Sequence, residues 1–308
     1  MPRHADRKTL SGRTAQQQRP PQMQQTLATA TAVAGTGYWS SREVRVEFCP
    51  APADAGITFV RTDLPGAPRI PARIEHRIET PLRTTLTSGG ARVEMIEHVL
   101  AAVAGLGIDN CEIRVNQVEM PGLDGSSLPF VEALLAAGLK ELDAPAVELF
   151  VREPARLGDD ESWIEVRPAS GSGLSLRYRL DYRDTPAIGQ QTVELDLTPE
   201  VFYRELAPCR TFIRKAEAEW LRQQGFAKNV TTADVLVFDD DGPIDNELRF
   251  VDECARHKML DLVGDLSLLG CRIVGWVNSH CGGHRLNAEL VKILLQEGQR
   301  MHSRRRSA

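Results

Sequence analysis

Paired cysteines are absent from this sequence. Its six cysteines (Cys49, Cys111, Cys209, Cys254, Cys271 and Cys281) are scattered, with no C-x-x-C spacing. That spacing argues against a cysteine zinc site and favours reduced thiols in the cytoplasm over a disulfide framework. Any metal would have to be held by histidine and carboxylate. Long apolar runs are also missing: the longest, Val99 to Ile108, falls far short of the ~20 residues a helix needs to cross a bilayer. There is no basic excess. A net charge of −5 does not mark a nucleic-acid binder, and an acidic substrate would need a local basic patch rather than a global field.

The first 25 residues are polar, basic and rich in Gln and Pro, without the apolar core of a secretory signal. They read as a disordered tail that cannot bury enough surface to offset its ordering entropy. The end, from residue 299 with Arg304, Arg305 and Arg306 in a row, reads as a basic tail, more often a solvated end than a contact for nucleic acid or anionic lipid. Over the whole chain, 42% hydrophobic and 26% charged residues describe an ordinary globular protein.

Hydrophobic periodicity places the elements. Val44, Val46 and Phe48 alternate with polar residues as in a strand. Residues 51–66 read as loops around a short strand, Ile57 to Arg61, and Glu97 to Gly105 as an apolar helix closed by Gly105-Leu106-Gly107. A strand from Asn110 and a helix from Pro129 to Ala137 follow. A proline-containing stretch, Asp143 to Ala146, separates this half from a second. There, strands are expected at Leu149, Trp163, Leu174, Thr192, Val235 and Arg272, and helices at Glu217 to Gln224, Leu248 to Leu269 and Leu286 to Leu295. Each half runs strands, helix, strand, helix, which predicts an α+β protein of two similar domains, 26–145 and 146–298.

One stretch carries most of the chemistry. On a helix, His257, Asp261 and Asp265 stand one turn apart on one face, flanked by Met259, Leu260, Leu262, Val263 and Leu266. Three ionisable groups beside an apolar face are costly to bury unpaired, and a divalent metal is the simplest partner. The plainer alternative is an exposed His–Asp pair worth about a few tenths of a kcal/mol. Glu97-His98 opens an apolar helix, and Gly282-Gly283-His284 presents an imidazole on a loop. Each of these is weak alone.

Taken in order, six segments resemble the UDP-3-O-acyl-N-acetylglucosamine deacetylase (LpxC) family: Ile96-Glu97-His98-Val99-Leu100, Leu123-Asp124-Gly125-Ser126-Ser127, Pro186-Ala187-Ile188-Gly189-Gln190-Gln191, Arg210-Thr211-Phe212, His257-Lys258-Met259-Leu260-Asp261 and Gly283-His284. Arg61-Thr62-Asp63-Leu64-Pro65 adds a weaker match, and the resemblance runs from about Thr26 to Leu295. It implies two α+β domains packed through their helices, with the active site between them. It also implies His98, His257 and Asp261 as zinc ligands, leaving a fourth position open as catalytic zinc requires. Glu97 would be the general base, and His284 the protonated acid held in its charged form by Asp265. Thr211 would donate to the oxyanion; Lys258 would face the substrate diphosphate, and Phe212 would pack on the uracil. A monomer acting on a UDP-sugar in the cytoplasm is the expectation, with no nucleic-acid partner and no membrane span.

Two departures stand out. The family's early Gly-x-Gly-Leu-His reads Ala34-Gly35-Thr36-Gly37-Tyr38-Trp39 here. The insert that forms the family's acyl tunnel carries Arg214 and Lys228, and charge is awkward beside a fatty acid unless it snorkels outward. A deacetylase with another N-acetylated substrate or an altered acyl-chain specificity is therefore a second reading. A non-catalytic relative is a third, though such relatives tend to lose the base or a ligand.

Overall fold

The computed structural model describes residues 22–306 apart from Ser170, with side chains as far as Gly298. Main-chain pairing begins at β1 (Met23–Leu27), followed by β2 (Thr31–Thr36), β3 (Glu43–Pro50), β4 (Ile57–Arg61) and β5 (Arg69–Pro71). Short strands β6 (Arg77–Ile78), β7 (Thr85–Ser88) and β8 (Ala91–Glu94) then lead into helix α1 (Glu97–Gly105). Strand β9 (Cys111–Val115), helix α2 (Leu128–Ala137) and β10 (Leu139–Pro145) complete the first half. Val44, Val46 and Phe48 of β3 are buried while Glu43 and Arg45 face out, the alternation of a sheet covered on one side. That sheet runs β2-β3-β9-β4-β5. Helix α2 lies on it, with Phe130 meeting the ring of Phe48 edge-on at 6.2 Å between centroids.

The second half adds β11 (Glu148–Phe150), β12 (Ala155–Gly158), β13 (Trp163–Arg167), β14 (Leu174–Tyr182) and β15 (Gly189–Asp196). A single helical turn, α3 (Pro199–Val201), precedes β16 (Phe212–Arg214), α4 (Lys215–Gln223) and β17 (Leu236–Phe238). Helix α5 (Glu253–Leu266), β18 (Arg272–His280) and α6 (His284–Arg306) end the fold. Strand β18 is central to a six-stranded sheet, parallel to β14 and β11 and antiparallel to β13. Every strand of this sheet comes from after residue 145, and every strand of the first-half sheets from before 146. The protein is α+β, and its halves meet through helices α1 and α5.

Gly264 sets how closely those helices approach. A Cβ built there would stand on the carbonyl oxygen of Glu97, far inside van der Waals contact. The absent side chain lets α5 lie directly on the first turn of α1.

Four expected boundaries move. The tail expected through Gln25 gives way to β1 at Met23, because Met23 to Leu27 pair with β10; residues 1–21 of that tail lie outside the described residues. The separator expected at Asp143 to Ala146 lies largely within β10, where Pro145, lacking an N–H, is tolerated at the strand's end. The helix expected from Leu248 starts only at Glu253. Its buried carboxylate accepts the main-chain N–H groups of Arg249 (2.7 Å) and Arg210 (3.0 Å), which occupies the preceding backbone in a non-helical turn. At the other end the backbone of α6 stays helical to Arg306, where a tail was expected from 299. Among the described residues no helix is long and apolar enough to cross a membrane.

Candidate active site

Helix α1 opens on the two residues that the sequence singles out. Met95, at φ 56°, turns the chain out of β8, and Ser127 Oγ donates to the carbonyl oxygen of His98 (2.9 Å), fixing the first turn. Glu97 and His98 are both buried. Across the helix contact, α5 presents His257, Asp261 and Asp265, all buried on one face.

His98, His257 and Asp261 offer donor atoms that all lie within 4.8 Å of one another. The His98 and His257 Nε2 atoms stand 3.5 Å and 3.6 Å from Asp261 Oδ1, too far for good hydrogen bonds. Asp261 Oδ1 is buried and has no hydrogen-bond partner, a costly state for a carboxylate oxygen. Its other oxygen takes the Lys258 ammonium at 2.7 Å. His257 Nδ1 faces the carbonyl of Cys209 at 3.3 Å; donation there leaves the Nε2 lone pair aimed at the cluster, the arrangement of a metal-ligating histidine. Burial pushes the His257 pKa down to about 3, so the ring is neutral. Two imidazole nitrogens and one carboxylate oxygen converge within 4.8 Å, a donor set that suits a divalent metal.

Beside this group sits a second cluster. Asp265 Oδ2 accepts from His284 Nδ1 at 2.7 Å and from Asn287 Nδ2 at 2.8 Å, and its Oδ1 accepts from Thr84 Oγ1 at 2.5 Å. Burial disfavours a charged His284, yet the Asp265 carboxylate, aided by Glu97, more than reverses this and raises its pKa to about 9. Burial raises the Glu97 pKa, opposed in part by His284 and His98. The Glu97 carboxylate accepts the Thr84 amide at 2.9 Å.

Both clusters open onto a cleft of about 740 Å³. Thr211 and Phe212 line it, and the Thr211 hydroxyl is donated to the carbonyl of Gly125 at 3.1 Å rather than held free. Phe212 lies edge-on to His257 and Tyr182. Lys258 borders the cleft with its ammonium on Asp261 instead of facing open space. Tyr38 and Trp39, from the segment that departs from the family, line the same cleft. The insert supplies its apolar wall through Ile213, Ala218, Leu221, Val230, Val235 and Val237. Arg214 and Lys228 are exposed and outside this lining, Arg214 pairing with Glu217 at 2.6 Å. The two charges that made an apolar passage doubtful are therefore not part of its lining, although Glu217 and Arg222 of the same segment are.

Sequence reasoning missed Thr84 and Asn287. Neither belongs to a motif: Thr84 precedes a short polar strand, and Asn287 is one polar residue in the first turn of α6. The Gln191 side chain also gains a place, accepting the Ala255 amide at the start of α5 (2.9 Å).

An α+β scaffold with a buried group able to hold a metal, flanked by a carboxylate and a charged imidazole in a deep cleft, is the apparatus of a hydrolase. The family model for UDP-3-O-acyl N-acetylglycosamine deacetylase matches residues 24–296, and the chain belongs to that family. It is 41% identical over 275 residues to the UDP-3-O-acyl-N-acetylglucosamine deacetylase of Anaeromyxobacter dehalogenans, covering 89% of this chain and 88% of that one. The protein of the same name from Psychrobacter arcticus is 41% identical over 277 residues, covering 89% and 86%. A bifunctional LpxC/FabZ enzyme of Chlorobaculum tepidum is 38% identical over 304 residues, covering 90% of this chain and 65% of that one.

Proposed function

We propose that this protein hydrolyses the acetamide of UDP-3-O-acyl-N-acetylglucosamine, releasing acetate, as a zinc-dependent step of lipid A biosynthesis in the cytoplasm. The observation that carries the reading is the unpartnered, buried Asp261 Oδ1 facing two imidazole nitrogens beside Glu97. His98, His257 and Asp261 would hold the zinc, which when bound supplies Lewis-acid polarisation and lowers the pKa of water toward neutrality. Glu97 takes the proton of the attacking water. Its raised pKa makes it a better base than an exposed carboxylate. His284, charged against Asp265, stabilises the developing oxyanion through Nε2 and then protonates the leaving amine. Thr211 adds a donor once its hydroxyl turns from Gly125. Phe212 and Lys258 bind the nucleotide part. The two halves, 26–145 and 146–298, act as domains that bring Glu97 and His98 against the remaining site residues, in a protein that works as a monomer.

Chelation is expected to abolish deacetylation and stoichiometric zinc to restore it, with metal content followed by elemental analysis. Full activity in metal-free protein would sink the reading. Because Arg214 and Lys228 are exposed and outside the cleft lining, the acylated UDP-sugar is expected to be turned over far better than plain UDP-N-acetylglucosamine. Equal rates on both would favour the paralogous deacetylase instead.

The acid role has a pH signature. With its pKa raised from 6.5 to about 9, His284 is charged throughout the neutral range. Its ion pair contributes stability that is complete below about 6.5 and is lost as pH rises through about 9. The kcat profile is expected to fall over the same alkaline limb. A rate that stays flat through that limb would unseat His284 as the acid.

A further inference from the structure

We infer that Thr84 is the positioning residue that ties the acid and the base of the site together, its amide holding Glu97 and its hydroxyl holding the carboxylate that orients His284. The inference rests on the deacetylase reading for the roles of Glu97 and His284, but its geometry stands apart from any metal. Thr84 is buried and comes from the first half, as Glu97 does, while Asp265 and His284 come from the second. Its N–H donates to Glu97 Oε2 at 2.9 Å, and its hydroxyl proton goes to Asp265 Oδ1 at 2.5 Å. With that proton committed, the Thr84 oxygen stands 3.2 Å from His284 Nδ1, a second and longer acceptor beside the 2.7 Å bond from that nitrogen to Asp265 Oδ2.

The arrangement has a consequence for each partner. Asp265 has both oxygens occupied, by Thr84 on one and by His284 and Asn287 on the other, so its carboxylate plane is fixed. A fixed carboxylate holds the imidazole in one orientation, with Nε2 toward the cleft. Glu97 is fixed by the main chain of the same residue. A displacement between the halves would therefore strain the Thr84–Asp265 contact and change the spacing of acid and base at once. One buried residue sets the spacing between the group that removes a proton and the group that returns it, which is the kind of geometry that effective proton transfer requires.

Valine in place of threonine keeps the shape and the amide but removes the hydroxyl, whereas serine keeps the hydroxyl and removes the methyl group. In zinc-loaded protein, Thr84→Val is expected to lower kcat by about tenfold or more, while KM stays within about twofold. Thr84→Ser is expected to keep the parent kcat. The low-field proton resonance of His284 Nδ1–H, identified by its loss in Asp265→Asn, supplies a readout independent of turnover. It is expected to move in Thr84→Val and to stay in Thr84→Ser. Parent kcat and an unmoved resonance in Thr84→Val, or equal impairment of both variants, would overturn the inference. If the parent protein proves unable to deacetylate, the functional reading fails, and the resonance alone decides whether Thr84 positions His284.

Discussion

Replacing Glu97 by glutamine is expected to lower kcat by roughly two to four orders of magnitude with bound zinc unchanged, the usual cost of removing a general base. The substitution is nearly isosteric, and Glu97 is not one of the converging metal donors, which are His98, His257 and Asp261. The amide oxygen of glutamine can still accept the Thr84 N–H that now reaches Glu97 Oε2 at 2.9 Å, so the fold of the β7 approach and of α1 is retained. What is lost is the capacity to take a proton. Burial, which raises the Glu97 pKa and so strengthens it as a base, does nothing for an amide. His284 loses the support Glu97 gives to its charge, but Asp265 remains against it at 2.7 Å. The measurement pairs steady-state kinetics on the acylated UDP-sugar with elemental analysis. A variant that keeps zinc and more than about a tenth of the parent kcat would transfer the base role to another group.

Much of this site was legible because helices translate spacing into direction. Glu97 to Gly105 reads as helix from the apolar run that starts at Val99, and α1 has those bounds. The one-turn interval of His257, Asp261 and Asp265 puts all three on the buried face of α5. Thr84 was not legible, because its partners lie 13, 181 and 200 residues away in sequence. A threonine before a short polar strand carries no local pattern that would indicate them. The short strands β5 to β8 were missed for a related reason: their pairing is made by backbone, and their side chains do not alternate over enough residues to signal it. Arg214 misled for a third reason. Its charge is plain in sequence, but not that its side chain pairs with Glu217, one turn on, at 2.6 Å and stays out of the cleft lining.

Gly264 offers the sharpest test of how the two halves make one site. Inside a helix, exchanging glycine for alanine ordinarily stabilises by about 1 kcal/mol. At Gly264 the sign is expected to reverse, because the new methyl group would occupy the position of the Glu97 carbonyl oxygen. That atom belongs to backbone in the first turn of α1 and cannot swing aside like the end of a flexible side chain. Relief requires α1 and α5 to separate, at a cost of about 1–3 kcal/mol for overpacking, less the gain in helix propensity. The same separation pulls Glu97 and His98 away from His257 and Asp261, whose donor atoms now lie within 4.8 Å of His98. A misplacement of about 1 Å is enough to cost on the order of a hundredfold in rate. Gly264→Ala is therefore expected to show a lower denaturation midpoint, weaker zinc retention and a kcat reduced about a hundredfold. Gly171→Ala, where an added Cβ meets nothing within 4 Å, serves as the control and is expected to match the parent. Parent-like stability and turnover in Gly264→Ala would mean that α1 and α5 can part without disturbing the chemistry. Contact between the two helices would then not be what holds the base against the metal ligands.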